Sequence, residues 1–191
     1  MMTNKLKFPI YALTAFFCLT LFFPASTNAQ RRDYLTDEEV ELVRDAQEID
    51  LRVGVLTKAI DRRFLVLNND TSQAKKVEKD SEKWGELPKG SRSALLWDIE
   101  RILQKSIDDI DDVAAHSKMD EELFPKAMFA LTDSCQNYIP KLKTLYDSAT
   151  DEKEKGSILG AIDNCNQIIE ASAKVPKPTP KAKKKKSKSD S

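Results

Sequence analysis

Histidine, a side chain suited to acid–base chemistry and to metal binding, occurs once in this sequence, as His116. One interpretation makes it a ligand to a b-type haem, with Met119 or Met128 as the second ligand. The alternative is a histidine that ends a helix, where the negative end of the helix dipole stabilises a cation. The pattern favours this second interpretation, and we expect no cofactor.

Motifs that recruit metals, phosphates or activated nucleophiles are missing from the sequence. It contains no CxxC or CxxCH, so thioredoxin-like redox chemistry and covalent haem are unsupported. It also lacks the Glu-x-x-His of di-iron bundles, a Gly-rich phosphate loop and a G-x-S-x-G elbow. Because no nucleophile is accompanied by a base, the sequence favours a protein that is not an enzyme.

Two cysteines, Cys135 and Cys165, are expected in the mature chain, because Cys18 lies in a segment predicted to be removed. Both occupy apolar positions on helices joined by a turn near Ala149 and Thr150. In an antiparallel hairpin they would lie at nearly the same height, and an oxidising compartment favours a bond between them. The alternative is two buried thiols that act as small apolar side chains. We predict the disulfide.

Four aspartates, Asp108, Asp109, Asp111 and Asp112, form the densest acidic cluster of the sequence. They lie in the latter half of a predicted helix, where they repel one another and the dipole disfavours acids. A divalent cation or a basic partner would offset this, although helices seldom supply the oxygen cage that calcium prefers. A solvated face with Arg or Lys neighbours is the favoured interpretation.

The C-terminal segment 174–191 is rich in lysine and proline and has no large apolar residue after Val175, which predicts a disordered tail. Its anion-binding candidates are Lys181, Lys183, Lys184, Lys185, Lys186 and Lys188. Partners of suitable charge are an anionic envelope polymer, lipid head groups or an acidic protein. The segment has no arginine or aromatic residue, which argues against sequence-specific nucleic-acid binding. A solubilising tail without a partner is the alternative.

The N-terminal segment 1–29 has the order of a secretory signal peptide. Two lysines precede an apolar run from Phe8 to Phe23, and Thr27 and Ala29 offer small side chains to a peptidase that cuts before Gln30. The run is shorter than the roughly 20 residues of a membrane-spanning helix. We therefore expect export to the periplasm or the extracellular space, with no transmembrane span after cleavage.

Charge is divided unevenly between the parts of the mature chain. The whole sequence has 31 basic and 31 acidic residues, but segment 174–191 holds eight lysines and one aspartate. Segment 30–173 keeps 21 basic and 30 acidic residues, a net charge of −9. The neutral total therefore conceals an acidic body and a basic tail.

Apolar residues recur at spacings of three and four in four segments, and no segment alternates with a period of two. The predicted helices run from Thr36 to Asn68, from Ser91 to His116, from near Asp120 to Tyr146, and from Asp151 to Ala173. Each carries one apolar stripe that another helix must cover. The sequence predicts an all-α fold, an up-and-down four-helix bundle over residues 30–173, with a spectrin-like or irregular helical array as the alternative.

Two features modify this plan. Pro140 lies inside the third predicted helix and should kink it. Residues 72–84 are expected to form a short charged helix, with Trp84 folded back onto the bundle.

The stretch Leu35 to Arg52, LTDEEVELVRDAQEIDLR, resembles the opening of a group of uncharacterised exported bacterial helical proteins. It covers about a tenth of the chain. The resemblance implies export and a bacterial origin. The group has no assigned activity, so no functional residue is carried over.

Together these features favour an exported helical interaction protein, whose basic tail contacts an anionic envelope component or a protein partner. The alternative is a helical bundle that holds a ligand or a metal in its core.

Overall fold

The computed structural model describes residues 33–69, 81–116 and 122–176 of the 191-residue chain. All of these belong to the second of two units, residues 33–191. The helices are α1 (Asp37–Asp45), α2 (Ile49–Leu67), α3 (Ser81–Trp84), α4 (Arg92–His116), α5 (Leu123–Asp147) and α6 (Glu152–Ser172). No strand occurs in the described ranges, so the all-α prediction is confirmed for them.

The start of α1 follows from its first residues. The Thr36 hydroxyl accepts a hydrogen bond from the Glu39 backbone N–H at 3.3 Å, and the Glu39 carboxylate accepts one from the Thr36 N–H at 3.1 Å. This is the predicted capping box, and Asp37 and Glu38 add acidic charge at the positive end of the helix dipole.

The first predicted helix is interrupted between Ala46 and Glu48, so the expectation of one continuous helix from Thr36 to Asn68 is wrong. Ala46 has ψ 85° and Glu48 has ψ 140°, and neither angle is helical. The side chain of Arg52 donates from Nε to the Ala46 carbonyl at 3.0 Å. This bond satisfies a carbonyl at the end of α1.

Packing joins the four long helices in pairs. α2 packs against α4 and α5, and α6 packs against the same two helices. α1 lies against α2 and the short α3. Each long helix therefore has two neighbours against which to bury its apolar stripe.

Polar contacts between the long helices show the direction in which each one runs. At the starts of α4 and α6, Arg92 pairs with Glu154 at 3.0 Å, so these two helices run in parallel. Further along, Asn164 of α6 donates to the Glu100 carbonyl of α4 at 3.2 Å. Arg92 also donates to the Leu145 carbonyl near the end of α5, which places α5 antiparallel to both.

The direction of α2 follows from its contacts with α5. Asp50, near its start, pairs with Lys126 near the start of α5 at 2.5 Å. Further along, the Tyr138 hydroxyl of α5 donates to the Thr57 carbonyl of α2 at 3.0 Å. The two helices are therefore parallel, and the four long helices alternate in direction along the chain.

The core lies between these helices and uses the predicted stripes. Its fully buried side chains include Val53, Leu56, Ile60, Ile99, Leu103, Leu131, Leu142 and Ile158. Trp84 is also buried and belongs to the same cluster, which agrees with the prediction that it folds back onto the helices. Within the predicted short helix, only residues 81–84 are described.

α5 continues through Pro140 to Asp147. Among the described residues, each helix is too short or too polar to cross a bilayer.

Leu56 and Leu51 offer a matched test of this core, because both are leucines of α2. Leu56 is fully buried, whereas Leu51 is 55% exposed. We expect Leu56→Ala to lower the free energy of unfolding by about 2–5 kcal/mol, because it removes buried apolar surface and leaves a cavity. Leu51→Ala should change it by less than about 0.5 kcal/mol. Urea titrations followed by circular dichroism measure both, and equal losses would contradict this packing.

Candidate functional site

Four charged side chains lie fully inside the body, where apolar residues would be expected. Glu39 of α1, Arg62 and Arg63 of α2, and Asp98 of α4 are each at most 1% exposed. We call these four residues the charge quartet. Two cations and two anions make it neutral in sum, which is the condition under which buried charges are tolerated.

Glu39 is the anion shared by both arginines. Its Oε1 accepts a hydrogen bond from an Arg63 terminal nitrogen at 2.6 Å and lies 3.6 Å from Arg62 Nε. The other oxygen of the same carboxylate closes the capping box with Thr36. One side chain therefore starts α1 and anchors that helix to α2.

Arg62 fastens the segment that follows α3. Its guanidinium donates to the backbone carbonyls of Trp84, Gly85 and Glu86. Gly85 has φ 63°, a left-handed conformation that favours glycine, and it lets three successive carbonyls turn toward one cation. The Trp84 ring lies against the same guanidinium, 5.5 Å from Arg62 Cζ.

Arg63 connects the quartet to α4 and to the N-terminal segment. Its Nε lies 3.7 Å from the Asp98 carboxylate, and a terminal nitrogen donates to the Tyr34 carbonyl at 2.7 Å. It also donates to the Ala59 carbonyl of its own helix at 2.9 Å.

Burial lowers the pKa of Arg62, Glu39 acts in the opposite direction, and Arg63 adds to the lowering. An arginine starts from so high a pKa that it remains protonated. Arg62 therefore carries a fixed positive charge. The quartet joins α1, α2, α4 and two connecting segments. Its role is structural: ion pairs and hydrogen bonds hold these elements together.

Sequence reasoning missed the quartet, although a signal was present. Glu39 falls between Leu35 and Leu42 at spacings of four and three, in line with the apolar stripe of α1. Arg63 follows Ala59 by four, and Asp98 precedes Ile102 by four, again on core-facing positions. A charge on an apolar stripe indicates a buried partner, and three helices carry one here.

The structure places the two predicted disulfide cysteines in contact. Cys135 of α5 and Cys165 of α6 are both fully buried and are free thiols. A hydrogen bond between the two side chains, together with burial, raises the pKa of Cys135. The disulfide between them stays a prediction.

The aspartate cluster divides into different environments. Asp109 is buried and pairs with Lys105 of its own helix, and its Oδ1 lies 3.9 Å from Arg52 of α2. Asp108 is exposed and accepts a hydrogen bond from the Gln104 amide at 2.9 Å. Asp111 is exposed. The basic neighbours expected for this face are thus found at Asp109.

The other predicted residues fall partly outside the described ranges. His116 is the last residue of α4, and Met128 is buried in α5. Met119 and the tail lysines Lys181, Lys183 to Lys186 and Lys188 lie outside the described residues. Within the described ranges, no three His, Cys, Asp or Glu side chains are grouped to hold a metal ion.

A small pocket opens between the C-terminal ends of α4 and α6 and the start of α5. Its volume is about 90 Å³, and it is lined by Ile107, Ile110, Asp111, Met128, Gln167, Ile168 and Ala171. Pockets for drug-sized ligands measure about 300–1,000 Å³, so this one suits a single small group.

Comparison with known proteins gives this chain no relative: no family model, curated protein or solved structure matches it.

The charge quartet is tested by Glu39→Gln. Glutamine keeps the size of the side chain and its capping role, so the substitution removes mainly the shared negative charge. Two buried arginines then face only one anion, and we expect the free energy of unfolding to fall by about 3–5 kcal/mol.

Glu41→Gln is the matched control, two residues along the same helix. Glu41 pairs with Arg44 on the surface with its side chain 60% exposed, and its loss should cost about 0–1 kcal/mol. Chemical denaturation of both variants at neutral pH measures the difference. If the two substitutions cost the same, the quartet does not hold α1 in place.

Proposed function

We propose that this chain is an exported helical interaction protein without enzymatic activity, and that its basic tail contacts an anionic envelope component. The observation that carries the proposal is the separation of charge: eight lysines and one aspartate in residues 174–191, beyond an acidic body of net charge −9. A basic segment of this kind binds anionic surfaces through its summed charge.

In this proposal the folded helices serve as the structural unit to which the basic tail is attached. We propose that α2, α4, α5 and α6 make up a four-helix bundle, with α1 and α3 held to it by the charge quartet. α6 ends at Ser172, and the described chain continues to Pro176. Segment 174–191 therefore begins close to the end of a packed helix.

Export is part of the same proposal. It rests on the signal-like segment 1–29 and on the resemblance of residues 35–52 to exported bacterial proteins. Cleavage before Gln30 would deliver the mature chain to the periplasm or the extracellular space.

The tail is tested by replacing Lys183, Lys184, Lys185 and Lys186 with glutamine. We expect binding to phosphatidylglycerol vesicles to weaken at least tenfold at low salt, because four cations are lost. Binding by the unaltered protein should fall steeply with rising salt, since released counterions drive such association. Vesicle co-sedimentation over a salt series measures both effects.

A matched control replaces four body lysines, Lys83, Lys89, Lys143 and Lys153, which are all exposed. It removes the same net charge from the helices. If this variant loses as much affinity as the tail variant, the body and not the tail is the contact. Vesicles of phosphatidylcholine alone should bind neither protein.

We further propose that Cys135 and Cys165 form a disulfide in the exported protein. The helices that carry them pack together, and both cysteine side chains are fully buried. A disulfide oxidant of the export compartment would accept two electrons, and the two thiol protons would be released. Closing this loop of about 30 residues should stabilise the fold by roughly 3.5 kcal/mol in the chain-entropy model.

Intact-mass analysis of the mature protein tests the disulfide. Unfolded under alkylating conditions without reductant, it should take up no alkyl group, and after reduction it should take up two. Cys135→Ser should take up one group in either case. Two groups on the unreduced protein would refute the bond.

A further inference from the structure

The tail leaves the body beside the acidic half of α4. α4 and α6 run in parallel, so their C-terminal ends lie at the same end of the helices. Asp111 of α4 and Ala171 of α6 line one pocket, and α6 ends one residue after Ala171. The basic segment therefore starts next to exposed carboxylates.

After α6 the described chain continues as a tightened helical turn that stays against the body. The Lys174 N–H donates to the Ala171 carbonyl and the Val175 N–H to the Ser172 carbonyl, each at 3.1 Å. Val175 packs against the core cluster. These bonds keep Pro176 near the end of the helix, where the pocket lies.

The pocket and its acidic rim match the chemistry of the residues that follow. Its walls are mostly apolar side chains, and Asp111 stands on its lining. After Pro176 the sequence continues Lys-Pro-Thr-Pro-Lys-Ala-Lys, which contains two small apolar rings and three cations. The five residues that follow Pro176, up to Lys181, reach at most about 18 Å when extended, which is long enough for the chain to fold back.

Asp108 and Asp111 differ from their neighbour Asp109 in what they face. Lys105 and Arg52 already balance Asp109, whereas Asp108 is bonded to the neutral amide of Gln104 and both Asp108 and Asp111 are exposed. These two carboxylates lie three residues apart on α4, so they share a face.

We propose that the tail docks on the body of its own chain. A proline from residues 178–180 enters the pocket, and lysines from residue 181 onward pair with Asp108 and Asp111. The short tether supplies an effective concentration of the order of millimolar, which favours this contact over binding between separate molecules. The body thereby competes with an external polyanion for the same lysines, and this regulatory step rests on the proposed function of the tail.

The docking itself is tested without any partner, by amide NMR of the mature protein at low salt. We compare it with the variant in which Lys183 to Lys186 are glutamine. Shift differences should concentrate in residues 107–111 and 167–171 and should disappear at about 1 M salt, where screening acts within about 3 Å. They should also be independent of protein concentration.

Differences spread evenly over the helices, or none at all, would overturn the docking. Differences that vanish on dilution would show a tail bound to a second copy, which also overturns it.

Competition is tested with phosphatidylglycerol vesicles and the double variant Asp108→Asn, Asp111→Asn. The double variant should release the docked tails. Its vesicle binding should be about three- to fivefold tighter, because the fraction of molecules with a tail free to bind rises. The control Asp133→Asn, Asp147→Asn removes the same charge from exposed sites of α5, and Asp147 lies at the opposite end of the body.

Equal tightening in the two variants would mean that general repulsion, not docking, limits the binding. The two proposals fail separately. Localised NMR shift differences without vesicle binding would refute the proposed function and support the docking. Vesicle binding without localised shift differences would support the proposed function and refute the docking.

Discussion

Glu39 and Arg63 are 24 residues apart in the chain, yet their side chains meet at 2.6 Å inside the body. On one straight helix they would be about 36 Å apart, so the pairing requires the chain to fold back between them. The break at Ala46 to Glu48 provides that reversal, and α1 then lies against α2. The placement of α3 and of the segment around Tyr34 depends on Arg62 and Arg63, because their guanidinium groups donate hydrogen bonds to the backbone carbonyls there.

We expect a buried charge network of this kind to contribute more to the positions of the helices than to the free energy of folding. Apolar side chains of similar volume are often as stabilising as buried ion pairs, because desolvating four charges offsets much of their attraction. Apolar packing, however, tolerates sliding and rotation, whereas carboxylate and guanidinium groups require partners at defined distances. We therefore expect the quartet to select one arrangement of α1 on the long helices. The fully buried Leu56, Ile99 and Leu131 supply the hydrophobic stabilisation around it.

The direction of the helices links the body to its tail. Because α4 and α6 are parallel neighbours, the end of α4 that carries Asp111 and the end of α6 lie at the same end of the body. An antiparallel pair would have separated Asp111 from the start of the tail by the length of a helix.

Local features of the sequence determined the helices themselves. The stripes at spacings of three and four and the capping box of Thr36 and Glu39 depend on nearby residues and were predictable. The shared height of Cys135 and Cys165 followed from the length of one hairpin. The break within the first predicted helix, the parallel pairing of α4 with α6 and the charge quartet were decided by contacts between residues far apart in the chain. A stripe shows which side of a helix is buried, but not which helix covers it, and Glu39 reads as a helix cap until Arg63 is brought beside it.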